Sequence, residues 1–232
     1  MTDTKIKPGT AVKEAMLSEK NVRAFQFTDL VIKIVDERFY VNKDQLVKES
    51  PVFLAMLTGN FKEKGATEIE LQDKDPTAFS HFLRQTLPGF KGLEMSEKTA
   101  HLILPLAHKY QTEATLLKID TVLATSLNEK KYKNIDELIN DILEAELYRQ
   151  PKYLQACINK AYTTFTYKEL TNAPEFHNVS NDTKFTVLSK RCEKLEFGNK
   201  TFLEELDKIN TCFECRHERI RIQDVARKIL SK

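Results

Sequence analysis

The chain has 232 residues, of which 30% are charged and 41% hydrophobic, and a formal net charge of +2. That length holds one large domain or two small ones with a real core, and the composition excludes a disordered chain. The near-neutral charge gives no whole-protein attraction to nucleic acid or membrane, no run is long enough to span a bilayer, and Met1 to Met16 lack a signal peptide's apolar core, so a cytoplasmic or nuclear location is expected. The four cysteines, Cys157, Cys192, Cys212 and Cys215, then read as reduced thiols. Six glycines and seven prolines leave little material for flexible linkers or glycine-rich phosphate loops.

Taken in order, Thr10 or Gly9 caps a short first helix with Val12 and Met16 on one stripe. So short an apolar stripe gains little alone, which suggests docking against something larger or a second copy of the chain. Leu30, Ile32 and Ile34 then alternate with Val31, Lys33 and Val35, the two-residue repeat of a strand. Asp36, Glu37 and Arg38 form a turn before a second run, Phe39 to Val41. From Asp44 the period becomes helical through Leu46 and Val47, and Ser50 with Pro51 starts a second short helix bearing Val52, Phe53, Met56 and Leu57.

Gly59, able to take positive φ, ends that helix, and Phe61 stands as a single aromatic in the polar run to Thr67. Its ring is either tucked back on the helix or presented to a partner. Glu68 to Leu71 alternate as a further strand, and Asp75-Pro76 opens a helix with Phe79, Phe82, Leu83 and Leu87 on one face. Ser96 starts another, with Leu102, Ile103, Leu106 and Ala107 in a stripe. His101 and His108 lie on it, with no carboxylate or thiol placed by the sequence to complete a metal site. One more helix carries Leu116, Leu117, Val122, Leu123 and Leu127.

After a polar break at 128–133, Asn134 with Glu137 resembles a capping box ahead of Ile135, Leu138, Ile139, Ile142, Leu143 and Leu147. Helices continue over 153–165, 168–173, 180–195 and 200–209, with Pro151, Pro174 and Gly198 as stops.

A hairpin, two short helices, a strand and then helices resembles the BTB/POZ fold, and the likeness extends to residues. Asp29-Leu-Val-Ile-Lys-Ile-Val is similar to the family's opening strand, Phe39-Tyr-Val-Asn-Lys to its second, and Leu46-Val-Lys-Glu-Ser50-Pro-Val-Phe53 to the helices that follow. Glu68-Ile-Glu-Leu71, Asp75-Pro-Thr-Ala-Phe79 and Leu106-Ala-His-Lys-Tyr110 continue it in order. The family commonly has His where this chain has Asn42, and a Tyr near Gln85 to Pro88. The resemblance implies an α+β BTB/POZ fold, a small β-sheet flanked by helices, over residues 10–127. Residues 134–210 look like the all-helical BACK-type extension of many ubiquitin-ligase adaptors, and 211–232 form a tail read as helical. No MATH or Kelch module is recognised.

In BTB adaptors of cullin-3 ligases, the loop after the second short helix carries an apolar residue, any residue, then Glu. Phe61-Lys62-Glu63 stands there, and with Met56 it supplies the cullin-binding residues that the resemblance implies. It also implies a homodimer, with Val12, Met16 and the charge pair Asp29 and Lys43 at the interface. In the tail, Cys212, Cys215 and His217 have zinc-like spacing, with Cys192 a fourth candidate, although an accidental CxxC is the commoner reading. Ile222, Val225, Ala226 and Ile229 form a stripe among basic residues, read as a packing helix or, more sharply, a basic partner-binding helix.

The expected function is a dimeric, non-catalytic adaptor without cofactor, linking a client protein to a cullin-3 RING ubiquitin ligase. The alternative is a ligase-independent dimeric scaffold assembling a protein complex, possibly a nuclear one. Nucleic-acid binding through the tail has no recognised motif behind it. No GxSxG, HExxH, Walker or dinucleotide fingerprint points to an enzyme.

Overall fold

The computed structural model describes residues 28–90, 94–132 and 134–209. The expected first helix with Val12 and Met16, and the tail with Cys212, Cys215 and His217, lie outside the described residues. The period-two pattern yields β1 (Leu30–Ile34), whose Leu30, Ile32 and Ile34 are buried. Antiparallel β2 (Glu37–Val41) pairs Val41 with Leu30 and Glu37 with Ile34. The turn is therefore Val35 and Asp36 alone, and Glu37 and Arg38, expected in the turn, belong to β2. The tight reversal is made by Val35 at φ 54°, the positive φ that two-residue hairpins use to match strand twist. On the other edge, β3 (Glu68–Glu70) runs parallel to β1 with Ile69 opposite Ile32, giving the order β2-β1-β3. So small a sheet is stable only with a face covered.

Helices cover it. The helix α1 (Lys43–Glu49) is capped by Asn42, whose side chain accepts from the Gln45 N–H. Asp29 accepts from the Lys43 N–H at 2.7 Å, so two orphan donors of this terminus are met by side chains. Ser50 then ends α1 and begins α2 (Pro51–Thr58): its Oγ accepts from the Phe53 N–H and donates to the Tyr110 carbonyl at 2.6 Å. Buried and 60 residues apart in sequence, Ser50 and Tyr110 fix this corner to the core.

The core beneath is aromatic. Asp75 caps α3 (Pro76–Thr86), which brings in Phe79 and Phe82, and Ser96 caps α4 (Glu97–Lys109), which ends at Tyr110. Tyr110 stacks on Phe53 at 4.4 Å between centroids and lies 5.6 Å from Phe82. Pro105 sits inside α4 at an exposed position and removes the N–H that would bond to the His101 carbonyl. At the end of α4, Gln111 takes φ 51°, and the Gln111 and Thr112 N–H groups bond to His108 and Ala107, a Schellman closure without glycine.

The next helix, α5 (Glu113–Glu129), buries Thr115, Ile119, Asp120, Leu123 and Leu127, whereas Leu117 is 63% exposed. Its apolar positions form one stripe with Leu117 outside it. The Schellman turn recurs between α6 (Ile135–Leu147) and α7 (Pro151–Thr164), with Arg149 at φ 53°. Buried Asp120 accepts from the N–H groups of Lys152 and Tyr153, at 3.2 and 2.8 Å, and so caps α7 from another helix.

The chain forms two compact units, one of residues up to Lys131 with Glu144–Ala156, the other of Tyr132–Leu143 with Cys157 onward. The division falls inside α6 and α7. In the second unit Asn134 caps α6 through the Glu137 N–H. Arg191 donates to the Phe165 and Tyr162 carbonyls at the end of α7, a cation where the helix dipole favours one. A capping box of Thr166 and Glu169 opens α8 (Tyr167–Asn172), and its backbone bond holds the Glu169 carboxyl below its ordinary range. A 3₁₀ turn at Pro174–Asn178 leads to α9 (Asn181–Ile209). Two helices broken at Gly198 were expected; one helix runs through it, since a single glycine costs about 1 kcal/mol relative to alanine and does not by itself end a helix. No helix among the described residues is long and apolar enough to cross a membrane.

Candidate protein-interaction groove

The outer side of α2 forms one wall of a surface groove. Phe53 and Leu57 turn inward and are buried, which leaves Val52, Ala55 and Met56 on the other side. The loop after α2 supplies the facing wall, and its shape depends on two glycines. Gly59 bonds to the Ala55 carbonyl at 2.8 Å with φ −75°, not the positive φ expected of it. Its lack of a side chain matters through a close approach: a Cβ there would stand 2.5 Å from the Ala55 oxygen and 3.3 Å from the Phe61 ring. The positive φ belongs instead to Gly65, at 70°, where the loop returns and the Gly65 N–H reaches the Leu57 carbonyl.

Bonds from the Lys64 N–H to the Phe61 carbonyl, and from Ala66 to Glu63, make the loop compact. Phe61 is consequently held by the loop's own backbone while 59% exposed. The two readings of this ring are combined: it lies over Gly59 and still offers most of its surface. The Glu63 side chain is only 20% exposed, with Lys62 Nζ at 3.7 Å, an outer ion pair of little energetic weight.

Met56, Phe61 and Glu63, the set that the resemblance implies, line one open groove of about 530 Å³ with Pro51, Val52, Ala55 and Gln111. An apolar cleft with one carboxylate at its edge suits an apolar side chain from a partner, with a donor beside it to set register. Sequence reasoning missed Gln111, 48 positions beyond Glu63, because its αL backbone at the end of α4 carries no glycine signal.

Asp29 and Lys43 meet, though through the Lys43 backbone N–H, which makes Asp29 a capping group for α1. Carboxylates do surround His101, contrary to expectation: Glu144 lies 2.6 Å from Nδ1 and Glu97 3.8 Å from Nε2. They engage opposite ring nitrogens: Glu144 ties α4 to α6, and Glu97 reaches the ring from α4 itself. His108 packs edge-on to Tyr148 at 5.3 Å between centroids.

The family model of the BTB/POZ domain matches residues 18–127. Those residues are a BTB/POZ domain. The BTB fold accounts for the small sheet and the helices α1 to α5, and the chain past it is helical. BTB and MATH domain-containing protein 38 of Caenorhabditis elegans is 26% identical over 186 residues, 77% of this chain and 46% of that protein. BTB and MATH domain-containing protein 15 of the same organism is 32% identical over 60% of this chain and 47% of that protein. Human Kelch-like protein 28 is 28% identical over 68% of this chain and 27% of its own length. The chain thus spans less than half of each of these relatives. The BTB/POZ domain is a protein-interaction module, and its groove is a surface suited to that task.

Proposed function

We propose that this chain is a dimeric, non-catalytic adaptor whose BTB/POZ domain recruits cullin-3, with a client protein held by the BACK-like region at 134–210 or by the tail at 211–232. The observation that carries the reading is the meeting of Met56, Phe61 and Glu63 in one groove, with Phe61-Lys62-Glu63 in the loop where cullin-3 adaptors of this family place an apolar residue two before Glu. Relatives among the Kelch-like proteins support it. The match of 186 residues to the first relative exceeds the 110 residues from 18 to 127, so that likeness includes part of the chain outside the BTB domain.

The test is binding of the purified cullin-3 N-terminal region to the full chain. Phe61→Ala is expected to weaken it by at least about 2 kcal/mol, some thirtyfold, as for an aromatic anchor at an interface centre, and Glu63→Ala by about 1 kcal/mol. Equal affinities for both variants and the unaltered chain would rule the groove out as the cullin site. Failure of the unaltered chain to bind would leave the ligase-independent scaffold.

A further inference from the structure

The helix α9 has two different faces. Thr183 and Val187 are buried, Lys190 lies over the Tyr162 ring, and Arg191 and Lys194 reach carbonyls at the end of α7, so this side belongs to the helix's own unit. From Cys192 to Glu204 every residue is exposed, including Leu195 at 55% and Phe202 at 49%. A helical stretch in water with exposed apolar side chains and a glycine inside it has no intrinsic reason to persist, because helices are held mainly by the packing of an apolar face.

The exposed residues are not scattered. Half-buried Leu188 and the exposed Cys192, Leu195, Asn199 and Phe202 follow one another at alternating steps of four and three, and the sequence continues the series at Leu206 and Ile209. This is a heptad seam with Leu188, Leu195, Phe202 and Ile209 at d and Cys192, Asn199 and Leu206 at a. At about 100° per residue the seam is centred roughly 100° around the helix from the face that carries Val187 and Lys194. Charged residues Glu193, Lys194, Lys200 and Glu204 fall outside it; Phe197 also does, on the side continuous with Val187.

Asn199 identifies the occupant. An amide at a is costly against an apolar partner surface, but in a parallel two-stranded pair it meets its own copy across the symmetry axis, where each amide can donate and accept. We propose that α9 from Leu188 to Ile209 pairs in parallel and in register with α9 of a second copy of this chain. The proposal stands whether or not the BTB domain binds cullin-3.

Cys192, exposed and at an a position, reports on it directly. In the full chain carrying Cys157→Ala, Cys212→Ser and Cys215→Ser, a short bismaleimide would join two Cys192 thiols, each sulfur adding to one maleimide double bond with no oxidant needed. Thiols held in one seam see each other at millimolar effective concentration against micromolar protein, so covalent dimer is expected on the order of a hundredfold faster than from random encounter. Moving the only thiol off the seam, with Cys192→Ser and Lys200→Cys, should remove that advantage. So should Leu195→Glu with Phe202→Glu on the Cys192 protein, both at exposed positions that folding tolerates. Equal rates from Cys192 and the Lys200→Cys thiol, no covalent dimer from Cys192, or a rate unchanged by the double Glu substitution would each overturn the proposal. Absence of Cys192 linkage is also the outcome if the tail covers the seam or if the helices pair antiparallel.

Discussion

Tyr110 combines two demands on one side chain. Its ring completes the stack with Phe53 and Phe82, its backbone carbonyl receives the Ser50 hydroxyl, and burial pushes its phenol up to about 12. An unfolded chain releases that proton near pH 10, so the unfolded state binds fewer protons than the native one above that value. The stabilisation is complete below about pH 10 and is lost as pH rises through about 12. Denaturant titration should show about 1.4 kcal/mol less stability from this residue at pH ~11 than at pH ~8, and Tyr110→Phe should remove that increment. Val35 is the opposite case, an exposed β-branched residue at φ 54° that contributes strain and no packing. Val35→Asn should stabilise by about 1 kcal/mol and raise the melting temperature by about 2–4 °C. Positive φ at Val35, Gln111 and Arg149 was not legible, since these are not the residues that normally advertise it.

Elements were easier to read where a cap and a period coincided. Ser50-Pro51, Asp75-Pro76 and Ser96 each pair a capping oxygen with an apolar stripe, and each begins a helix as expected. The groove was half legible for a different reason: Phe61 is an aromatic in a polar loop, and Glu63 two residues on was singled out by the resemblance to cullin-3 adaptors. Gln111 and the Glu144 carboxylate at His101 depend on contacts 43 or more residues apart, which a period cannot encode. Asp120 belongs with them, for it reads as one polar position in an apolar helix and proves to be the cap of α7. Asp120→Ala leaves two helix N–H groups without their acceptor and should cost about 2–3 kcal/mol by equilibrium unfolding. A comparable loss from the exposed Asp182→Ala would show that the effect is not specific to this cap.

At the scale of the whole molecule, the proposed self-association has most bearing on function, since a symmetric pair presents every surface twice. Light scattering at micromolar concentration should give twice the chain mass. Val12→Asp with Met16→Asp should shift the mass toward the monomer if these residues contribute to the interface. An unchanged dimer would move the interface elsewhere. The change from a mixed strand-helix part to a helical part near residue 130 was visible in the sequence. That Glu144–Ala156 return to the first unit was not, because nothing in a helical stripe states which neighbour it will face.

The cap that Asp120 places on α7 also sets an order in time. Asp120 is made 33 residues before Tyr153, a gap of roughly two to seven seconds at ordinary rates of synthesis, and until then its acceptor oxygens have neither α7 N–H to receive. During that interval the nascent BTB domain carries a carboxylate destined for burial that is still held in water, and His101 waits likewise for Glu144. A ribosome pausing between residues 131 and 144 would prolong exposure of this incomplete state, and a chain cut there would never leave it.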